Sequence, residues 1–225
     1  SVRAQVIVTD PASAETIKYA ANAFLATKLS FVNAIAAICE GVGADVNDVM
    51  VGMGYDKRIG AEFLRPGPGW GGSCFPKDIK ALIQTAREKG YEMKVLKAVE
   101  EVNNTQKEIL YRKLIKRLGE NLEGKTIAIW GLSFKPNTDD VREAPALLLT
   151  EKLAKAGCHV RVYDPVAMPE AKTTLSKTLP EFLDKIHFAS DIYDAALESE
   201  ALLLVTEWKE FRMPSWGVIR KAMKN

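Results

Sequence analysis

From Asp10 to about Glu40 the sequence is patterned as a helix, with no glycine or proline after Pro11. That unbroken run constrains the fold more than any other feature. Asp10 suits an N-cap and Pro11 the first helical position, so the start is sharp. The apolar set Ile17, Ala20, Ala21, Phe24, Leu25, Val32, Ile35, Ile38 and Cys39 is too wide for one face. A helix of about 30 residues spans roughly 45 Å, and one this apolar must be buried on several sides.

The spacing predicts a short helix over 45–51, a Gly- and Pro-rich loop over 52–72, a helix over 78–89 stopping at Gly90, and one long helix over 93–118 ended by Gly119. After Gly124 the pattern changes. Lys125-Thr-Ile-Ala-Ile-Trp130 is a short β-type run closed by Gly131. A helix over 143–156 follows, then strands 159–163 and 186–188, a helix 191–198, a strand 201–205 and a helix 215–223. This alternation is that of a parallel sheet with helical crossovers. The fold class expected is α/β overall: an all-α domain over 1–120, then a Rossmann-like parallel α/β domain over 121–225.

Composition excludes several function classes. With 31 basic and 29 acidic side chains interspersed, the net charge of +2 gives no concentrated field for nucleic acid or an anionic membrane. No stretch is read as approaching the roughly 20 apolar residues of a membrane helix, and SVRAQVIVTD lacks a signal-peptide core, so the protein is expected to be soluble and cytoplasmic. Cys39, Cys74 and Cys158 form neither a disulfide framework nor a metal pattern, so reduced thiols and no metal are expected. The chain opens on Ser1 rather than Met, with a strand-like piece, Gln5-Val6-Ile7-Val8, and stops at Asn225 without a closing strand. Both ends are expected to be those of an excised piece.

The most informative segment is Pro66-Gly-Pro-Gly-Trp-Gly-Gly-Ser-Cys-Phe-Pro-Lys-Asp78. Its glycines, Gly67, Gly69, Gly71 and Gly72, let a backbone approach a ligand closely with its N–H groups pointing inward. Cys74 precedes Pro76 and a helix expected to begin around Lys77 and Asp78. A helix N-terminus with a nearby lysine favours thiolate, the form in which cysteine is a nucleophile. Cys39, on an apolar helix face, and Cys158, just before a strand, are expected to be ordinary packing residues.

Gly69-x-Gly-Gly-Ser-Cys74-x-x-Lys-Asp78 resembles the signature of the nucleotide-sugar 6-dehydrogenases, which oxidise a sugar C6 alcohol to a carboxylate. Asp10-Pro-x-Ser-Ala-Glu-x-x-Lys18-x-x-x-Asn22, Arg58-Ile-Gly, Gly131-Leu-Ser-Phe-Lys135 and Thr138-Asp-Asp-x-Arg142-Glu resemble the same family in the same order. The resemblance covers essentially the whole chain. It implies a central dimerisation domain followed by a UDP-binding domain, with the family's NAD-binding domain absent.

Carried over residue by residue, the resemblance implies that Cys74 attacks the C6 aldehyde, giving a thiohemiacetal and then a thioester that water cleaves. Asp78 would serve as, or position, a general base. Lys18 and Asn22, four residues apart on one helix face, would stabilise oxyanion charge and orient substrate or water. Phe63, Leu64, Gly67, Gly69 and Gly71 would wrap the nucleotide and sugar, Arg58 would reach a neighbouring subunit's ligand, and Phe134 and Lys135 would meet diphosphate or sugar. Lys77 and Arg142 would face NAD, itself bound mainly by the absent domain. A homodimer through helix 93–118 is the implied assembly.

Gly131 opens the second domain as a dinucleotide fold would, and Asp164 ends its second strand where a ribose-binding acid would sit. The second and third glycines of Gly-x-Gly-x-x-Gly are missing, so this domain is expected to take UDP rather than NAD. The local spelling looks most like the UDP-glucose branch; GDP-mannose and UDP-N-acetylmannosamine are the alternative substrates. A noncatalytic UDP-sugar-binding and dimerisation module is the reading from another class, and a thiol redox protein is disfavoured because Cys74 lacks a C-x-x-C partner.

Overall fold

The computed structural model describes residues 5–224. Ser1 and Asn225, on which the expectation of cut ends rests, lie outside the described residues. Gln5–Val8 forms no strand; Val6, Ile7 and Val8 are exposed, because no neighbouring strand is there to pair with them among the described residues.

Helix α1, Pro11–Val42, is 32 residues long, or about 48 Å. Asp10 caps it by accepting from the Ser13 N–H at 2.9 Å, and Gly43, at φ +74°, ends it in the left-handed region. Around it pack α2 (Val46–Gly54), α3 (Phe75–Glu88) and α4 (Lys94–Lys107). Ala23, Ala26, Trp70, Ile79, Leu96 and Val99 make one core, and Val32, Met50 and Leu64 a second. Contrary to expectation, α1 is long and apolar enough by length and composition to cross a bilayer. Its polar side chains nonetheless have protein partners: Ser30 and Asn33 are buried against other segments and Lys18 pairs with Asp78. Ile17, Phe24, Phe31 and Ile38 stay exposed at seven-residue intervals.

The single helix expected over 93–118 is two. Helix α4 ends at Lys107, Glu108 intervenes, and α5 runs Ile109–Leu118. At Glu108 the N–H bonds the Thr105 carbonyl at 3.3 Å in a tightened turn, and the Arg112 guanidinium takes that same carbonyl. Tertiary contacts hold the bend. The Glu108 carboxylate accepts from Lys152 at 2.9 Å, and the Lys152 ammonium lies 4.5 Å from the Tyr111 ring centroid.

The α/β half contains β1 (Thr126–Trp130), α6 (Pro145–Lys155), β2 (His159–Tyr163), α7 (Met168–Thr178), β3 (Ile186–Phe188), α8 (Ile192–Ala196), β4 (Ala201–Leu204) and α9 (Trp216–Ala222). The four strands are parallel in the order β3-β2-β1-β4. Ile127, Ile129, Val160, Val162 and Leu203 face α6 and α7, and Leu114 of α5 joins this core. Packing thus crosses residue 120. Trp130, Tyr163 and Leu202 point the other way, against α8 and α9, as alternation along a strand requires. Helix α7 escaped the sequence reading because it buries only Ala171 and Leu175, too few positions for a helical period.

The strand order reverses between β1 and β4, so the crevice at the carboxyl ends of those strands is where open α/β sheets bind ligands. The β1–α6 loop, 131–144, lies there and meets the cysteine loop.

Candidate active site at the cysteine loop

The segment Gly67–Ser73 is fastened to three elements. The Gly67 N–H donates to Asn33 Oδ1 of α1 at 2.8 Å, and the Gly67 carbonyl accepts from Gln106 Nε2 of α4 at 2.7 Å. Asn103 of α4 accepts the Trp70 N–H at 2.8 Å and donates to the Trp70 carbonyl at 3.0 Å. The Gly72 N–H donates to the Arg142 carbonyl at 2.8 Å. The N–H groups of Gly67, Trp70 and Gly72 are therefore spent within the protein, which corrects the expectation that they point at a ligand.

The glycines have another reason. A Cβ on Gly71 would stand 2.1 Å from the Glu143 carbonyl oxygen, and one on Gly72, at φ +85°, would stand 2.7 Å from the Phe134 ring. Gly69 is less tightly placed, a Cβ there meeting Lys107 Cγ at 2.9 Å. The close approach they permit is of the loop to its own protein. Glu143 itself sits at φ +54° and faces Lys107 at 3.5 Å.

Helix α3 starts at Phe75, earlier than expected, with Cys74 at the N-cap position. The Cys74 carbonyl accepts the Asp78 N–H at 2.8 Å, and its side chain is exposed, with Sγ 3.7 Å from Ser73 Oγ. Cys39 and Cys158 are buried. Burial pushes the Cys158 thiol up to about 11.

Asp78, one turn into α3, is completely buried. Its Oδ2 accepts from Lys18 Nζ at 2.9 Å and Asn22 Nδ2 at 2.6 Å, both from α1. Its Oδ1 has no hydrogen-bond partner among the described residues, with Lys77 Nζ 3.8 Å away. Burial alone would raise the Asp78 carboxyl, but the bonds from Lys18 and Asn22 and the charges of Lys18 and Lys77 prevail and hold it below its ordinary 3.8. The bond to Asp78 raises Lys18 above its ordinary 10.5 against a desolvation cost, helped by the charges of Asp78, Tyr19 and Cys74. Cys74 lies two residues from Gly72, whose N–H is bonded to the Arg142 carbonyl, and its own carbonyl accepts the N–H of Asp78, the partner of Lys18.

Cys74, Asp78, Lys18, Asn22, Lys77 and Arg142 therefore share one neighbourhood, lined by Phe134. Arg142 is held by Asp140 through bonds of 2.8 and 2.7 Å, and Lys135 Nζ lies 5.3 Å from the Phe134 ring centroid. Arg58 belongs elsewhere. It is clasped by Asp56 and exposed, next to Ile59, whose carbonyl takes Lys28 Nζ at 3.0 Å, about three helical turns along α1 from Lys18. Phe63 is partly exposed at φ +61°. Leu64 is a correction: its side chain packs with Val32 and Met50 and only its backbone remains for a ligand.

The β1–α6 loop does not fit a dinucleotide. The Asp164 carboxylate, at the position where a dinucleotide fold has its ribose acid, is buried and accepts from the Leu132 N–H at 2.7 Å, the Ser133 N–H at 3.1 Å and Trp208 Nε1 at 3.0 Å. The backbone donors that would cradle a pyrophosphate are occupied, and so is the acid.

Sequence reading missed Ser30, Asn33, Asn103 and Gln106, which hold the cysteine loop. Their signal is polarity out of place: Ser30 lies one turn after Ala26, and Asn103 one turn after Val99, on faces otherwise buried and apolar.

Residues 12–105 match the model described as UDP-glucose/GDP-mannose dehydrogenase family, central domain, and residues 128–225 that family's UDP binding domain. A UDP-glucose 6-dehydrogenase of Pseudomonas aeruginosa is 47% identical over 98% of this chain and 48% of its own length. One from Bacillus subtilis is 49% identical over 93% of this chain and 44% of its own. The solved UDP-glucose dehydrogenase of Pyrobaculum islandicum superposes with a TM-score of 0.86 at 37% identity, over 94% of this chain and 47% of that one. The chain spans about half the length of the curated relatives it matches.

Proposed function

This chain belongs to the UDP-glucose/GDP-mannose dehydrogenase family, and from that premise we propose that it is the thiol-bearing and UDP-binding part of an NAD-dependent UDP-glucose 6-dehydrogenase. The observation that carries the reading is an exposed Cys74 at the head of α3, one turn from a buried carboxylate that binds Lys18 and Asn22 together. NAD⁺, when bound, would accept one hydride from C6 at each oxidation, a fresh molecule replacing NADH between the two. Lys77 and Arg142 are the cations this chain offers toward it, both with exposed side chains.

After the first oxidation the Cys74 sulfur adds to the C6 aldehyde, forming an S–C bond as the carbonyl π electrons move to oxygen. Lys18 and Asn22 take up that negative charge. The hemiacetal carbon loses the second hydride to become a thioester, and water then breaks the S–C bond, leaving the carboxylate and the free thiol. Asp78, held ionised, is a weak proton acceptor, so its work is to keep Lys18 charged and Asn22 aimed.

The UDP-glucose assignment is supported by the names of the relatives at 47% and 49% identity. In the full-length enzyme, Cys74→Ala should abolish uronate formation while leaving UDP-sugar binding intact; normal acid production by that variant excludes covalent capture. Steady-state rates with UDP-glucose, GDP-mannose and UDP-N-acetylmannosamine test the sugar, and a preference for either of the last two overturns it. The homodimer belongs to this proposal with a changed surface. The outer side of α4 is polar, with Lys97, Glu101 and Asn104, whereas the seven-residue stripe on α1 is apolar and suits a second copy of the same helix. Mass measurement of the full-length protein carrying Phe24→Glu and Phe31→Glu should find monomer. A cytoplasmic setting fits a chain whose most apolar helix spends its polar side chains on protein contacts.

A further inference from the structure

We propose that Asn103 is a positioning residue for Cys74, acting through the Trp70 peptide and the Trp70–Phe75 ring contact; the inference rests on reading Cys74 as the nucleophile. Cys74 has little of its own to fix its direction. Among the described residues its sulfur has one hydrogen-bond contact, with Ser73 Oγ at 3.7 Å, so where it points depends on the residues flanking it.

On the upstream side, the loop is anchored at Gly72, whose N–H is bonded to the Arg142 carbonyl, and at Trp70. Asn103 is 1% exposed and uses both ends of its carboxamide on one residue, accepting the Trp70 N–H at 2.8 Å and donating to the Trp70 carbonyl at 3.0 Å. One hydrogen bond would leave rotation about itself; two fix the peptide plane. The indole is gripped from α1, by a serine that is itself tied to α4. Trp70 Nε1 donates to Ser30 Oγ at 3.0 Å, and that hydroxyl donates to the Val99 carbonyl at 3.0 Å, one turn before Asn103.

On the downstream side, the ring of Phe75, the residue after Cys74, stands edge-on to the Trp70 indole with centroids 6.0 Å apart and planes at 87°. Helix α4 thus holds Trp70 directly and, through the ring contact, braces Phe75 on the other side of the thiol without touching it. A purely structural amide would stabilise the loop; a positioning amide must also set how Cys74 meets an electrophile.

The test is the rate at which iodoacetamide alkylates Cys74 in this chain, with the buried Cys39 and Cys158 as internal reporters of folding. The carboxylate introduced by Asn103→Asp keeps the acceptor for the Trp70 N–H but turns a second anionic oxygen on the Trp70 carbonyl; once protonated, that group regains the donor. Asn103→Asp should therefore change the Cys74 rate several-fold relative to the unsubstituted chain at neutral pH, with the ratio returning toward one as acid protonates the new carboxylate, while Cys39 and Cys158 stay unreactive. An unchanged ratio at every pH with both reporters protected overturns the proposal. Should Asn103→Asp fail to fold, Phe75→Leu decides: it leaves the bracket and removes the ring contact, and an unaltered Cys74 rate refutes the relay. In the full-length enzyme Asn103→Asp should lower kcat with little change in KM. Failure of the nucleophile reading looks different, as Cys74 in the unsubstituted chain would then alkylate no faster than an unactivated thiol.

Discussion

Two glycine-bearing loops meet at the same cleft and are organised in opposite ways. The loop after β1 is gathered around one buried anion. Asp164 accepts from Leu132, Ser133 and Trp208 on Oδ2 and from the Val166 and Ala167 N–H groups on Oδ1 at 2.9 and 2.8 Å. The cysteine loop is held by neutral amides from α1 and α4 and by one carbonyl from the β1–α6 loop, and it leaves its sulfur outside. A charge-centred loop makes a rigid platform with nothing to spare, whereas a loop held from its edges can present a reactive atom. Rigid support and exposed chemistry are thus divided between neighbours.

Removing the anion is the severest way to break the comparison. Asp164→Ala orphans several buried donors at once and should cost about 3–5 kcal/mol in urea unfolding, with the loss in the α/β half; a change within experimental error would show the platform is not charge-centred. The Asp164 carboxyl is also pH-linked. Burial pushes it up, but the bonded N–H groups hold it below its ordinary 3.8. A depressed folded value means the stabilisation is present above the unfolded value and lost as pH falls through the folded one. Asp164→Asn should remove that part of the acid dependence below the ordinary carboxylate range.

Gly71→Ala comes next. Its Cβ would press on the Glu143 carbonyl, which is backbone and cannot swing away, so the junction between the two loops must open. Overpacking of this kind costs about 1–3 kcal/mol, and Cys74 alkylation should change with it. A stable variant with native alkylation would separate the loops.

The smallest effect on folding sharpens the comparison most. Lys18 is more than half exposed, so Lys18→Ala should change stability by no more than about 1 kcal/mol. It should nevertheless let the Asp78 carboxyl titrate at higher pH, because its first charge-assisted partner is gone. The Asp78 carboxyl resonance in NMR checks this, and an unmoved titration would mean that burial and Asn22 alone decide its charge.

How much of this was legible follows from where each signal lives. Strands 159–163 and 186–188 have the bounds the sequence suggested, since a short apolar run between turn residues is a local signal. The division into a helical half and an α/β half was legible for the same reason. Lys18, Asn22, Cys74 and Asp78 stood out through their motif. The break at Glu108 did not, because no helix-breaking residue marks it and the side chain that meets Glu108 is Lys152, 44 residues on. Leu64 looked like a ligand-facing residue of a loop until the second core claimed it. The amide bracket was hidden because an asparagine in a helix does not announce a partner 33 residues away.

The fastenings of the cysteine loop also set when they can form. Gly67 waits on Asn33 before it, Trp70 on Asn103 after it, and Gly72 on Arg142, which is later still. Closing such long spans is a late event in folding. While the chain emerges from a ribosome, its sulfur has no settled surroundings until Arg142 and Glu143 have left the tunnel. The thiol is thus presented for chemistry only once the helical half and the first loop of the α/β half have been synthesised.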